Sequence, residues 1–168
     1  MLRKNFLIVI LFLIPLTLSA QVKFGHLNCL DVMKAMPEYQ QAEATIDVMQ
    51  KKYQEELMRT QYNFQLQYQE YLSQANSLPK NIAERRQKEL QDMAQRQEQF
   101  QQESYKAIQE AREQALAPIK QKLADAILNV GLEGEFTYIF DISKTDIPFI
   151  GEASYDVTEA VKSKLEIK

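Results

Sequence analysis

The chain has no tryptophan, one cysteine, one histidine, and only four glycines in 168 residues. Each scarcity excludes something. A single cysteine cannot close an internal disulfide, so the fold must be held by packing or by association. One histidine and one cysteine, His26 and Cys29, fall short of the ligand set of a metal centre, and they lack the base and orienting group of a covalent catalyst. So little glycine leaves few turns and phosphate loops for a compact α/β enzyme and points to long uninterrupted elements. An excess of positive charge is also missing, with 20 Lys and Arg against 23 Asp and Glu. That balance argues against nucleic acid as a partner. The expectation is a protein without enzyme activity, cofactor or metal.

What is present divides into three parts. Residues 1–20 run from Arg3-Lys4 through the apolar stretch Phe6–Leu18 to Ser19-Ala20, the order of a secretory signal cleaved after Ala20. The apolar run is 13 residues long and contains Pro15, whereas a membrane-spanning helix needs about 20. His26-Leu27-Asn28 before Cys29 offers none of the small residues of a lipidation site. Without Arg3 and Lys4 the chain keeps 18 basic and 23 acidic side chains.

Residues 39–121 contain no glycine and are rich in Gln, Glu, Lys, Arg and Ala, with breaks at Leu78-Pro79 and at Pro118. This is helix-forming composition over a length that exceeds any ordinary globular helix. A reversal near residues 77–81, with Ser77 or Asn81 as N-cap, predicts two helices of about 60 Å each. Apolar residues step through Ile46, Met49, Tyr53, Leu57, Thr60, Phe64, Tyr68, Tyr71, Ala75 and Leu78. In the second helix the same stripe steps through Leu90, Met93, Phe100, Ile108, Ala111, Ala115 and Ile119, with the polar Gln97 and Ser104 in step. The 3-4-4 spacing predicts a nearly straight antiparallel hairpin. With partners whose numbers sum to about 157, Phe64 meets Met93, Leu57 meets Phe100 and Met49 meets Ile108. Ile46, Met49, Leu57, Phe64, Met93, Phe100 and Ile108 are the expected seam.

Residues 21–38 and 122–168 form the expected body, β-rich and too small to stand alone. Strands are predicted at Val22–Leu27, Phe136–Phe140 and Pro148–Gly151, and a short helix near Asp156–Leu165, with Gly131 and Gly134 ending the second long helix. Open strand edges predict self-association. The arm carries 11 basic and 12 acidic residues, so it is nearly neutral and the acidic excess lies in the body.

Several segments in this order resemble the OmpH-like (Skp) family of periplasmic chaperones. They are Val22–Asn28, Met36-Pro37-Glu38-Tyr39, Ala117-Pro118-Ile119, Glu135–Asp141 and Ser154-Tyr155-Asp156-Val157-Thr158. The resemblance covers the whole chain after the signal. It implies an α+β fold with a small trimerising sheet body and long helical hairpin arms around a cavity. It also implies a periplasmic, ATP-independent holdase for unfolded outer-membrane β-barrel proteins. The familiar members are strongly basic, whereas this chain is acidic with neutral arms, which argues against contact with membrane or lipopolysaccharide phosphates.

A holdase needs exposed apolar surface rather than a reactive group. Met58, Tyr62 and Leu66 lie about 100°, 140° and 180° from the seam at the helical 100° per residue. With Tyr105 and Leu116 they are the expected client-binding residues. Pro118 removes a backbone bond to Gln114 and is the expected bend or hinge between arm and body. His26 and Cys29 are read as structural, and Asp141 and Asp146 as turn caps. The alternative is a non-catalytic coiled-coil spacer or adaptor of the envelope. A spacer has no use for off-seam apolar residues and wants a tip motif, which Asn76–Asn81 does not supply.

Overall fold

A computed structural model describes residues 22–167; the expected signal, residues 1–20, lies outside them. In chain order the elements are β1 (Phe24–Leu27), α1 (Cys29–Ala35), α2 (Pro37–Gln74), α3 (Lys80–Glu133), β2 (Tyr138–Asp141), β3 (Ser154–Asp156) and α4 (Thr158–Lys164). The class is α+β, with α2 and α3 folded back on one another and three short strands in one sheet.

α2 is 38 residues long and α3 is 54. Pro37 opens α2 in its first turn, where a missing N–H costs no helical bond. At the tip neither Ser77 nor Asn81 caps α3. Pro79 occupies the N-cap position, its ψ of 144° setting an extended entry, and the Ser77 hydroxyl donates to the Gln74 carbonyl at 2.9 Å, so it closes α2 instead. Across the hairpin Tyr53 and Phe100 pack at 5.8 Å between ring centroids, Arg112 pairs with Glu43 at 3.4 Å, and Lys122 pairs with Glu38. These contacts lie within about a turn of the expected register.

α3 does not stop at Gly131; it runs through it to Glu133. Gly134 is the C-cap, and a Cβ there would lie 2.5 Å from the Phe136 ring, so close approach of that ring requires glycine. Glu135, with φ 53°, turns the chain in the left-handed region, and the Phe136 N–H closes back onto the Gly131 carbonyl at 3.0 Å.

The core sits where the arm enters the body. Ile119, Leu123, Ala126 and Val130 recur every three or four residues on α3, which puts them on one face. They pack with Val32 and Met36, with Val157, Val161 and Leu165, and with Leu27 from β1. Helices therefore supply most of the core around the small sheet. Asn28 caps α1, accepting from the N–H groups of Leu30 and Asp31 at 3.1 and 3.2 Å. The sheet order is β2-β1-β3 and both pairings are parallel, with Phe24 beside Tyr138 and Ser154, and His26 beside Phe140 and Asp156. The third strand is Ser154–Asp156 rather than Pro148–Gly151, because Pro148 has no N–H to give a ladder.

Three carboxylates tie this body together, and each is held below its ordinary pKa. Hydrogen bonds from the Thr158 side chain and N–H lower Asp156, and the Lys122 ammonium lowers Glu38. Burial pushes Asp141 up, but bonds from the Ser143 hydroxyl (2.6 Å), the Ser143 N–H and the Cys29 N–H outweigh it. Depressed folded values mean that the stability they contribute is present above the unfolded carboxylate range near pH 4 and is lost as pH falls through the folded values. Urea midpoints are expected to hold between about pH 7 and 5 and to drop below about pH 4. A midpoint flat down to about pH 2 would contradict this linkage.

Candidate functional site

The described residues contain no group of three or more His, Cys, Asp or Glu placed to hold a metal. Burial, followed by the neighbouring Asp141 charge, pushes the Cys29 thiol up to about 11. It stays protonated at neutral pH and is a poor nucleophile. His26 Nδ1 lies 2.8 Å from Ser154 Oγ, a bond that joins β1 to β3. Two apolar surfaces remain as candidates, one on the arm and one on the body.

On the arm, the seam residues turn inward: Ile46 is buried, and Met49, Leu57, Phe64, Met93, Phe100 and Ile108 are half-buried. Tyr68 leaves the seam; it is exposed and stacks flat on Phe64 at 6.1 Å. Met58, Tyr62 and Leu66 on α2 and Tyr105 on α3 are all more than half exposed, at 57%, 63%, 52% and 68%. Leu116 is different. It is half-buried against the body core, so it packs the base of the arm rather than offering surface. Val48 is also exposed and lies five full turns before Leu66, on the same face of α2. Its spacing was readable in the sequence, but beside the seam residues Ile46 and Met49 it carried no separate signal. Pro118 lies inside α3, which continues unbroken on both sides of it.

Charge on the arm is arranged locally. Arg59 pairs with Glu56, Lys80 with Glu84, Arg85 and Arg86 with Glu89, and Lys106 with Glu110, each within one helical turn. Such exposed pairs add only tenths of a kcal/mol. Their consequence is a neutral surface around the apolar stripe.

On the body, strand alternation sends Gly25, Leu27 and Ile139 toward the core and Phe24, His26, Tyr138 and Phe140 to the other face. There Phe24, Tyr138 and Phe140 pack on one another with centroids 6.0–6.3 Å apart. Ile147, Phe149 and Ile150 from the β2–β3 connection complete a groove of about 360 Å³ over this face. Phe149 is 81% exposed. A solvated face of a small sheet ordinarily carries polar side chains, so this exposed apolar face is the second candidate surface.

Comparison with known proteins agrees with this geometry. A family model described as outer membrane protein (OmpH-like) matches residues 23–165. The crystal structure of a candidate outer membrane chaperone (OmpH-like) from Caulobacter crescentus CB15 superposes with a TM-score of 0.71 at 16% identity, covering 88% of this chain and 85% of that one. No curated protein matches the chain at a significant level.

Proposed function

The chain belongs to the OmpH-like family, and on that premise we propose that it is a periplasmic, ATP-independent holdase for unfolded outer-membrane β-barrel proteins. One observation carries the reading. Met58, Tyr62 and Leu66 form an exposed apolar stripe on an arm whose seam residues turn inward elsewhere. An arm that served only as a spacer would have no reason to keep them. Many weak contacts with such a stripe hold an unfolded segment without selecting a sequence.

The proposed assembly is a homotrimer in which the aromatic face of the sheet meets its copies, so that three arms surround the client and their contacts act together. Arms of balanced charge leave the acidic body to set the field, which disfavours nucleic acid and lipopolysaccharide as ligands. Tyr105 joins the stripe as a client contact from α3. Pro118 is assigned as the bend through which the arm adjusts to the body. The chemistry proposed is binding alone, with no catalytic group.

The test is light scattering of a denatured outer-membrane β-barrel diluted from urea, with and without the chain Gln21–Lys168 and with no nucleotide present. Scattering should fall as the chain is added. Undiminished scattering at a molar excess would refute the holdase reading.

A further inference from the structure

The seam of the arm is tight at two levels and loose between them. Toward the base Ile46 is buried. Toward the tip Leu90 is buried, and the cleft beside it, bordered by Tyr71 and Leu78, holds only about 10 Å³. These two levels are about 30 Å apart along the hairpin at the helical rise. Between them Thr60 and Gln97 occupy seam positions and line one groove, and Ser104 is the one side chain that is buried among the described residues of that stretch.

The polar groups here do not bond across the hairpin. Ser104 donates to the Phe100 carbonyl at 2.6 Å and Thr60 to the Leu57 carbonyl at 2.9 Å, each within its own helix. Back-bonds of this kind compete with the helical ladder and favour bending. Two grooves, of about 500 and 510 Å³, both open onto Phe100, one reaching Thr60 and Gln97 and the other Met49 and Tyr53. The Tyr53–Phe100 contact is the ring pair that spans the seam here.

We infer that the arm is built to yield at this level, from Tyr53 to Phe64 on α2 and from Met93 to Ser104 on α3, rather than to loosen progressively from its tip. Opening there parts the Tyr53–Phe100 rings and apolar side chains that are only half-buried, and water serves the polar groups of Thr60 and Gln97 as well as the facing helix does. A bend at mid-length displaces the outer half of the arm while the packed base stays in the body. Under the proposed function, such a bend widens the space between arms for a larger client without parting the protomers. The softness itself does not depend on that reading.

Hydrogen exchange followed by mass spectrometry on the chain Gln21–Lys168 tests it. Amides of Leu57–Phe64 and Met93–Phe100 should exchange about ten-fold faster than those of Gln67–Tyr71 and Arg86–Leu90, which lie farther from the body. Combining Thr60→Leu with Gln97→Leu should fill the layer and slow the middle to the rate of its neighbours. Protection that falls steadily from body to tip in the unsubstituted chain overturns the inference, whatever the substituted chain does. Failure of trimer formation or of client binding would show in mass and in scattering and would leave this profile unchanged.

Discussion

Replacing Met58, Tyr62 and Leu66 together by Gln is expected to weaken client binding by about 100-fold while leaving the helical circular dichroism unchanged. Each side chain is more than half exposed in the free chain. Covering that remaining surface with client contributes roughly 1 kcal/mol per residue, about half of what burying a whole large apolar side chain is worth. Three such losses come to about 3 kcal/mol, or about 100-fold in affinity. Gln is nearly as good a helix former as Met or Leu, and the seam that holds α2 to α3 lies on the other side of the helix. The matched control is Asp47, Lys51 and Glu55, also exposed on α2, replaced together by Gln. That chain should bind as the parent does. Equal binding by both would show that the stripe does not touch client.

The second large effect is expected from Phe140→Asp. Phe140 sits beside His26 in the sheet register and packs on Phe24 and Tyr138 at 6.3 and 6.0 Å. A carboxylate there remains solvated in a free protomer but is stranded without a partner once copies cover the face, which costs several kcal/mol. Sedimentation at micromolar concentration should then report monomer for Phe140→Asp and the parent's oligomer for Phe140→Leu. An oligomer that survives Phe140→Asp would place the protomer contact on some other surface. Because the core lies on the opposite face of the sheet, with Leu27 and Val161 fully buried, the monomer should still fold and keep its arm.

The arm was legible because helix periodicity over many turns averages out local exceptions. Every seam step from Ile46 to Leu78 and from Leu90 to Ile119 is buried or half-buried except Tyr68. The off-seam positions of Met58, Tyr62 and Leu66 followed from the same periodicity. Leu116 was misplaced because angle around one helix does not reveal when a third element arrives. At the base of the arm the body core covers a face that is free higher up. Caps were harder, since Pro79 overrode two good side-chain candidates through backbone geometry alone.

The sheet's aromatic face was missed for a different reason. Phe24 and Leu27, or Phe140 and Ile139, are apolar at both parities, and a short run of this kind reads as a buried strand without saying what buries its second side. The segment Pro148-Phe149-Ile150-Gly151 looked like a strand because β-propensity records fit to an apolar surface rather than backbone pairing. In the structure Phe149, Ile150 and Gly151 line the groove over the sheet instead.

The central claim is that several arms, joined through their bodies, hold one unfolded chain. The measurement that tests it most directly is the mass of the particle formed when the chain Gln21–Lys168 is mixed with a urea-unfolded outer-membrane β-barrel in the absence of nucleotide, read by light scattering in line with size exclusion. The account predicts a single complex of three protomers with one client. A monomer that elutes apart from aggregated client would contradict it.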